Sequence, residues 1–427
     1  MLGQLSSARL APYYLAGVIF AYYGLVPAVV QAVWGIDAYY WKLATVATTA
    51  AVSIVAGFHI PVFDRLVGGV RPIVLPARVA AFGVWGAFVV LVFVILATAD
   101  NIPFLNALSG ASTAQDLIVQ RQDFLAARQG WEAALPYLNV MFMGSIIPYA
   151  LAVMFVNMHR LRWIALPLVM AYSLLALEKI LLVKVLTPLF ILAMQRRVWN
   201  AAILVLMSVL TLGLFYLTTY LSRGETSSEE MAFAEAMSHA SPAAQAASGF
   251  SVATYFSTDY RPSGAIDLLI WRSIAVPIFT AADALKVIDT ELDNQLQFGA
   301  TSTFLAPLAK IVTGRDKINF DAMVYTYQWG SHLGRANSAY FNEASVNFGW
   351  PGVVGFSLII GLCLRLFSRS PDPAFAALWP LFCWNVFQAG LIGTLLSNGF
   401  LLVFAFMLFV RLEETAAEPS PRVRRQS

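Results

Sequence analysis

Apolar residues in this chain neither follow the three-four rhythm of an amphipathic helix nor alternate as in a half-buried strand. They come in long runs near the ~20 residues that cross a bilayer as a helix. The runs fall near 12–33, 43–63, 79–99, 137–157, 163–181, 182–195, 198–221, 349–366, 374–391 and 397–411. The fifth and sixth are short and carry Glu178, Lys179 and Lys184 between or within them. That pattern predicts a tight hairpin of two short helices. One long helix over 163–195 is the alternative, and it would reverse the side of everything after it. The first run is too long for the apolar part of a cleaved signal and reads as a first span.

Composition narrows the class. The chain has 427 residues, 59% of them hydrophobic and 12% charged, with a mean hydropathy of +0.70. Soluble domains carry about 25% charged residues. The numbers exclude a soluble enzyme, a disordered chain and a disulfide scaffold. The expected fold is all-α: a polytopic membrane bundle of about ten (ten to twelve) helices. Cys363 and Cys383 lie in apolar runs and imply no disulfide.

The net charge of +3 offers no overall basic face for nucleic acid. The distribution says more than the sum. Arg9, Arg65, Arg71, Arg78, Arg160, Arg162, Arg196, Arg197, Arg365, Arg369, Arg411, Arg422, Arg424 and Arg425 flank alternate ends of the runs. By the positive-inside rule they mark the cytoplasmic face, with both termini on it. The short loops opposite hold Lys42, Arg121, Arg128, Lys179 and Lys184.

The organisation that follows is an N-terminal membrane region (1–221) with a loop at 100–136, a large extracytoplasmic loop (222–348), a C-terminal membrane region (349–411) and a tail (412–427). The large loop holds thirteen of the 24 acids and eight of the 27 basic residues. Ser227 and Glu230 fit a helix-opening capping box. Residues 264–288 turn apolar again, interrupted by Arg272 and Pro277. An eleventh span would upset the parity of sides, so the expectation is an amphipathic or re-entrant helix. No internal repeat is evident.

Several chemistries have no support. There is no GxxxxGK[ST] loop, no GxGxxG after a strand, no CxxC and no HExxH. His59 and His159 read as packing or interface residues, and His239 as solvated. Asp289, Glu291 and Asp293 alternate, yet acids at steps of two do not share a helix face. They read as a solvated turn, and no metal or other cofactor is expected.

What remains is a set of charges at the outer membrane level: Arg223, Arg272, Lys179, Lys184, His332, Arg335 and Glu343. A cation in an apolar segment is costly and tends to line a cavity or meet an anion. Taken singly, each could snorkel to the interface. Together they suggest a pocket, and the planar fork of Arg suits a diphosphate. The stretch RANSAYFNEASVNFGWPGVVGFSLIIG (335–361) is the most distinctive. Glu343 stands four residues before Asn347, and Pro351 suits a first helical turn.

This stretch resembles a motif of the Wzy-type polymerases, within the wider group of O-antigen polymerases and ligases. They join lipid-linked oligosaccharide repeat units into O-antigen, capsule or exopolysaccharide. Glu343, Asn347, Phe348, Gly349 and Gly352 match the family's Glu-x-x-x-Asn-Phe-Gly-x-x-Gly pattern in order, and the late large loop is similar too. At the short hairpin, Lys179 or Lys184 stands where the family often has Arg.

The resemblance implies a GT-C-like glycosyltransferase of the bacterial inner membrane, with its site facing the periplasm. Its substrates would be two undecaprenyl-diphosphate-linked oligosaccharides, and a flippase and a chain-length regulator of the same pathway would be partners. Arg272, Arg223 and Arg335 would hold the diphosphate, assisted by Lys179. Glu343 or His332 would be the base. Arg121, Arg128, Tyr340 and Asn347 would contact glycan or the second carrier. Trp329, Tyr325, Tyr327 and Tyr340 could stack on sugars, although interface packing explains them as well. An O-antigen ligase acting on lipid A–core is the nearest alternative. A lipid-linked sugar transporter is the alternative from another class, though transporters commonly show two matching halves.

Overall fold

A backbone surrounded by lipid must satisfy its own hydrogen bonds, which confines apolar runs to helices. The computed structural model describes residues 7–62, 72–109, 120, 123–125, 128–157, 160–195, 209, 213, 251–263, 265–330, 334–336 and 339–413. Its longest helices fall on the apolar runs. They are α1 (Ala11–Trp34), α2 (Tyr39–His59), α3 (Ala77–Ala97) and α5 (Gly130–Val156), with the short α4 (Pro103–Ser109) between the last two. A strand, β1 (Ile73–Pro76), precedes α3.

The chain then makes α6 (Arg162–Leu175) and α7 (Lys179–Met194). Leu177 between them has φ 51° and Glu178 is extended, so the chain reverses there, and α7 packs back on α5 and α6. The hairpin forms, not the single long helix. Apart from residues 209 and 213, the run at 198–221 lies outside the described residues, as do His159, the capping box at Ser227 and His239.

The C-terminal part holds α8 (Val252–Tyr255), α9 (Ala265–Thr290), α10 (Ala306–Thr313), α11 (Phe320–Trp329), α12 (Tyr340–Arg369), α13 (Pro373–Ala376), α14 (Trp379–Gln388) and α15 (Phe400–Phe409). Strand β2 (Val410–Glu413) closes it, pairing in parallel with β1 in the register Ile73↔Val410. Six of the described helices are long and apolar enough to cross a membrane: α1, α2, α3, α5, α9 and α12. Helix α9 differs from the amphipathic or re-entrant helix expected at 264–288. It runs unbroken through Pro277 and is long and apolar enough to cross a membrane, because the apolar residues on both sides of Arg272 continue one helix.

Helix α2 sits at the centre, with Leu43, Ala47, Ala50 and Ile54 fully buried. It packs most closely on α12. Gly57 comes against the backbone of Leu358, and Gly361 against Ile54, Gly57 and Phe58. Small residues allow this approach, as is common where helices meet in lipid. Arg365 donates from Nη1 to the Phe58 carbonyl at 2.9 Å, so α2 and α12 end together and run parallel. At that end Tyr13 meets His59 at 3.0 Å and Tyr14 stacks on Trp379. At the opposite end, Lys42 pairs with Asp289 at 2.7 Å and Lys286 with Asp37 at 3.4 Å. The first turn of α2 thus lies beside the last turn of α9. His59 packs against the Tyr13 and Phe58 rings. Asp289 belongs to an ion pair, while the chain turns through Asp293 and Asn294 at positive φ.

Candidate functional site

The distinctive 335–361 stretch becomes the first half of α12. The helix is interrupted at Gly349, whose φ of 61° and ψ of −148° belong to a region open essentially to glycine. Pro351 sits in the first turn of the half that follows. That half, from Trp350 to Arg369, is about 30 Å long at 1.5 Å per residue, enough for the bilayer core.

Asn347 holds the break in place. Its Oδ1 accepts from the Gly299 amide at 2.8 Å, and its Nδ2 donates to Thr301 Oγ1 at 2.7 Å and to the Glu343 carbonyl at 2.8 Å. The Phe298 and Gln297 amides donate to the carbonyls of Asn347 and Val346, both at 3.0 Å. Phe348 packs between Phe298 and Phe356. Gly352 lies against the Ala344 carbonyl, where no side chain fits. Asn347, Phe348, Gly349 and Gly352 thus shape the top of α12.

Glu343 projects from this top into a polar cavity of about 120 Å³, lined by Thr301, Asn319, Asp321, Gln388, Ala389 and Gly390 among others. The walls come from four places: the 297–301 loop, the start of α11, the end of α14 and α12 itself. Asn319 caps α11 by accepting from the Ala322 amide at 3.3 Å. The Ile392 amide donates to Glu343 Oε2 at 3.4 Å, and Gly390 lies directly against the carboxyl. The cavity places a second carboxyl, Asp321, near the first. No cation lines it among the described residues. Such a site can accept a proton from a hydroxyl that enters it, and its amides and Thr301 can orient polar ligands.

The expected site residues divide. Arg335 is exposed and adjoins this cavity, because the amide of the next residue, Ala336, donates to the Asp321 carbonyl at 3.0 Å. Arg272 does not join it. The inward stripe of α9 is Trp271, Ala275, Ile278, Phe279, Ala282 and Leu285, and Arg272 falls outside that stripe among exposed Leu268, Leu269 and Ile274. Tyr340 and Asn347 are not glycan contacts here. Both are fully buried, and the Tyr340 hydroxyl is engaged with Ser357 Oγ at 2.8 Å. Lys179 opens α7. Arg223, His332 and Arg121 lie outside the described residues. Of the aromatic residues, Tyr325 and Trp329 pack on one another, and Tyr327 faces Lys286.

Arg128 belongs to a second polar cavity, of about 490 Å³, at the 100–136 loop. Its guanidinium is 5% exposed and ties the loop to the end of α3. It donates to the Ile95 carbonyl at 2.8 Å, the Phe124 carbonyl at 3.2 Å and Thr98 Oγ1, and pairs with Glu132 at 3.4 Å. Asp100, Asn101 and Asp123 complete the wall. Arg128 is therefore first a support of that loop.

The sequence alone did not single out Asp321, Gln388, Thr301 or Gly390. A faint signal existed for two of them: Asn319-Phe320-Asp321 is a helix-opening pattern, and Gly390 interrupts an apolar run. Among the described residues, no group of three or more His, Cys, Asp or Glu side chains is placed to hold a metal. The chain matches no protein-family model, no curated protein and no solved structure.

Proposed function

We propose that this chain is a membrane glycosyltransferase of the Wzy type. It would polymerise undecaprenyl-diphosphate-linked oligosaccharide units at the periplasmic face of the bacterial inner membrane. The observation that carries the reading is Glu343: a carboxyl set in a polar cavity at the top of a spanning helix, held by an amide and lodged against Gly390. An acceptor hydroxyl arriving there meets a base at the level where lipid-linked sugars present their headgroups.

In this scheme the bond between the donor's anomeric carbon and the diphosphate oxygen breaks. The acceptor oxygen bonds to that carbon, its proton passes to Glu343, and polyprenyl diphosphate leaves. Arg335, exposed and next in sequence to Ala336, whose amide bonds to the Asp321 carbonyl, is assigned to the departing diphosphate, where it opposes the developing charge. Arg223, His332 and Lys179 retain their proposed roles, whereas Arg272 is left out because it is exposed and does not line the cavity. The reaction is assigned no metal. The bundle is read as GT-C-like, with the arginine-rich end of α1, α2 and α12 in the cytoplasm.

The test is reconstitution. The purified chain in proteoliposomes, supplied with lipid-linked repeat units and EDTA, is expected to yield a ladder of longer lipid-linked glycans on a gel. Units that remain single, although accessible on the outer surface, would overturn the reading.

A further inference from the structure

Helix α10 carries its apolar stripe on the wrong side for a helix that only packs on its own protein. Ala306 and Ala309 are its buried positions. Leu308, Ile311 and Val312, spaced i, i+3, i+4 and hence on one face, are 57%, 82% and 71% exposed. A solvent-facing stripe of this kind marks a surface that meets something apolar.

Its location identifies the occupant. The 300–318 excursion that contains α10 is pinned at its base, where the Ile318 amide donates to the Ala300 carbonyl at 3.1 Å. That base adjoins Phe298 and Gly299, which are bonded to Asn347 at the Gly349 break. The break is the point where α12 resumes as an apolar spanning helix, beginning with the exposed Trp350. Helix α10 therefore leaves the protein beside the start of the apolar second half of α12. Lys310, Arg315 and Lys317 flank the stripe; Lys310 pairs with Asp316 at 2.6 Å and Arg315 donates to Gln295 at 3.2 Å, and the three cations outnumber the one acid. Cations beside an outward apolar stripe match phosphate headgroups above acyl chains.

We propose that α10 is an interfacial anchor, with Leu308, Ile311 and Val312 seated in the lipid beside the mouth of the Glu343 cavity. It fixes Thr301, on the same excursion, at the headgroup level. The inference does not depend on the transferase reading. It depends on the second half of α12 crossing the membrane.

Site-directed spin labelling tests it. Ile311→Cys, in a chain with Cys363 and Cys383 replaced by alanine, is labelled with a nitroxide and placed in vesicles of phosphatidylethanolamine and phosphatidylglycerol. Collision with oxygen is compared with collision with a water-soluble nickel chelate. Phe93→Cys, on the exposed face of the spanning helix α3, is the lipid reference, and Glu291→Cys is the aqueous one. The expected result is an oxygen-to-nickel ratio several-fold above that of Glu291→Cys and close to that of Phe93→Cys. A nickel accessibility equal to that of Glu291→Cys would overturn the proposal. So would protection from both reagents, the signature of a protein cover such as a second copy. Val312→Cys gives the same reading if Ile311→Cys does not fold.

Discussion

Gly390 has no side chain at the point where the carboxyl of Glu343 comes to rest, and a Cβ built there would run into that carboxyl. The obstacle is the free end of a flexible side chain and not backbone, so Gly390→Ala should move Glu343 before it harms the fold. The expected outcome is a thermal midpoint within a few degrees of wild type, with polymer yield reduced at least tenfold. Tryptophan-fluorescence melting and the gel ladder read the two effects separately.

Asn347 is expected to behave in the opposite way. Its amide satisfies the Gly299 amide, Thr301 and the Glu343 carbonyl within the protein. Asn347→Ala leaves the buried Gly299 amide without its acceptor, at a cost of about 1–3 kcal/mol. Unfolding in detergent should show that loss. A variant that keeps full stability and only raises KM for acceptor would instead make Asn347 a substrate contact.

Two glycines of α12 should differ sharply. A Cβ at Gly361 would meet Phe58 N at 2.6 Å and the Gly57 carbonyl carbon at 2.8 Å, whereas one at Gly355 meets nothing within 4 Å. Backbone cannot yield as a side chain can, so Gly361→Ala should destabilise by about 1–3 kcal/mol. Gly355→Ala should be neutral or stabilise by ~0.5–1 kcal/mol, because alanine loses less freedom in a helix. Paired melting curves check both.

The sequence made most of the spans legible because lipid imposes one length and one pattern on them; α9 was missed, because Arg272 and Pro277 interrupt its apolar run. It also marked 335–361 as the special stretch, where Asn347, Phe348, Gly349 and Gly352 shape the break in α12 and Glu343 projects into the cavity. The α6–α7 reversal could be read from charges in a short apolar segment. The walls of the cavity could not. Asp321, Gln388 and Gly390 come from other elements, brought in by helix packing that leaves no local pattern. The expected convergence of cations failed at Arg272 for a related reason. Its helix is apolar on nearly every side at that end, so periodicity could not tell its inward face from its outward one. Buried Tyr340 and Asn347 looked exposed because motif residues at a membrane surface are ordinarily read as contacts.

The two ion pairs joining α2 and α9, Lys42–Asp289 and Lys286–Asp37, are partly exposed. Each should contribute ~0.2–1 kcal/mol and weaken as salt rises. A double-mutant cycle with Lys42→Met and Asp289→Asn, run at low and high salt, should show a coupling that shrinks with ionic strength. Coupling that is large and insensitive to salt would mean the pair is sealed from water.

The account rests on Glu343 as the group that takes the acceptor's proton. The most direct measurement is single-turnover transfer between lipid-linked units by Glu343→Gln, a nearly isosteric change that keeps an oxygen for the Ile392 amide. A fall of ~10²-fold or more in the transfer rate, with folding and substrate binding intact, is the predicted result. Transfer at the wild-type rate by a folded Glu343→Gln protein would contradict it.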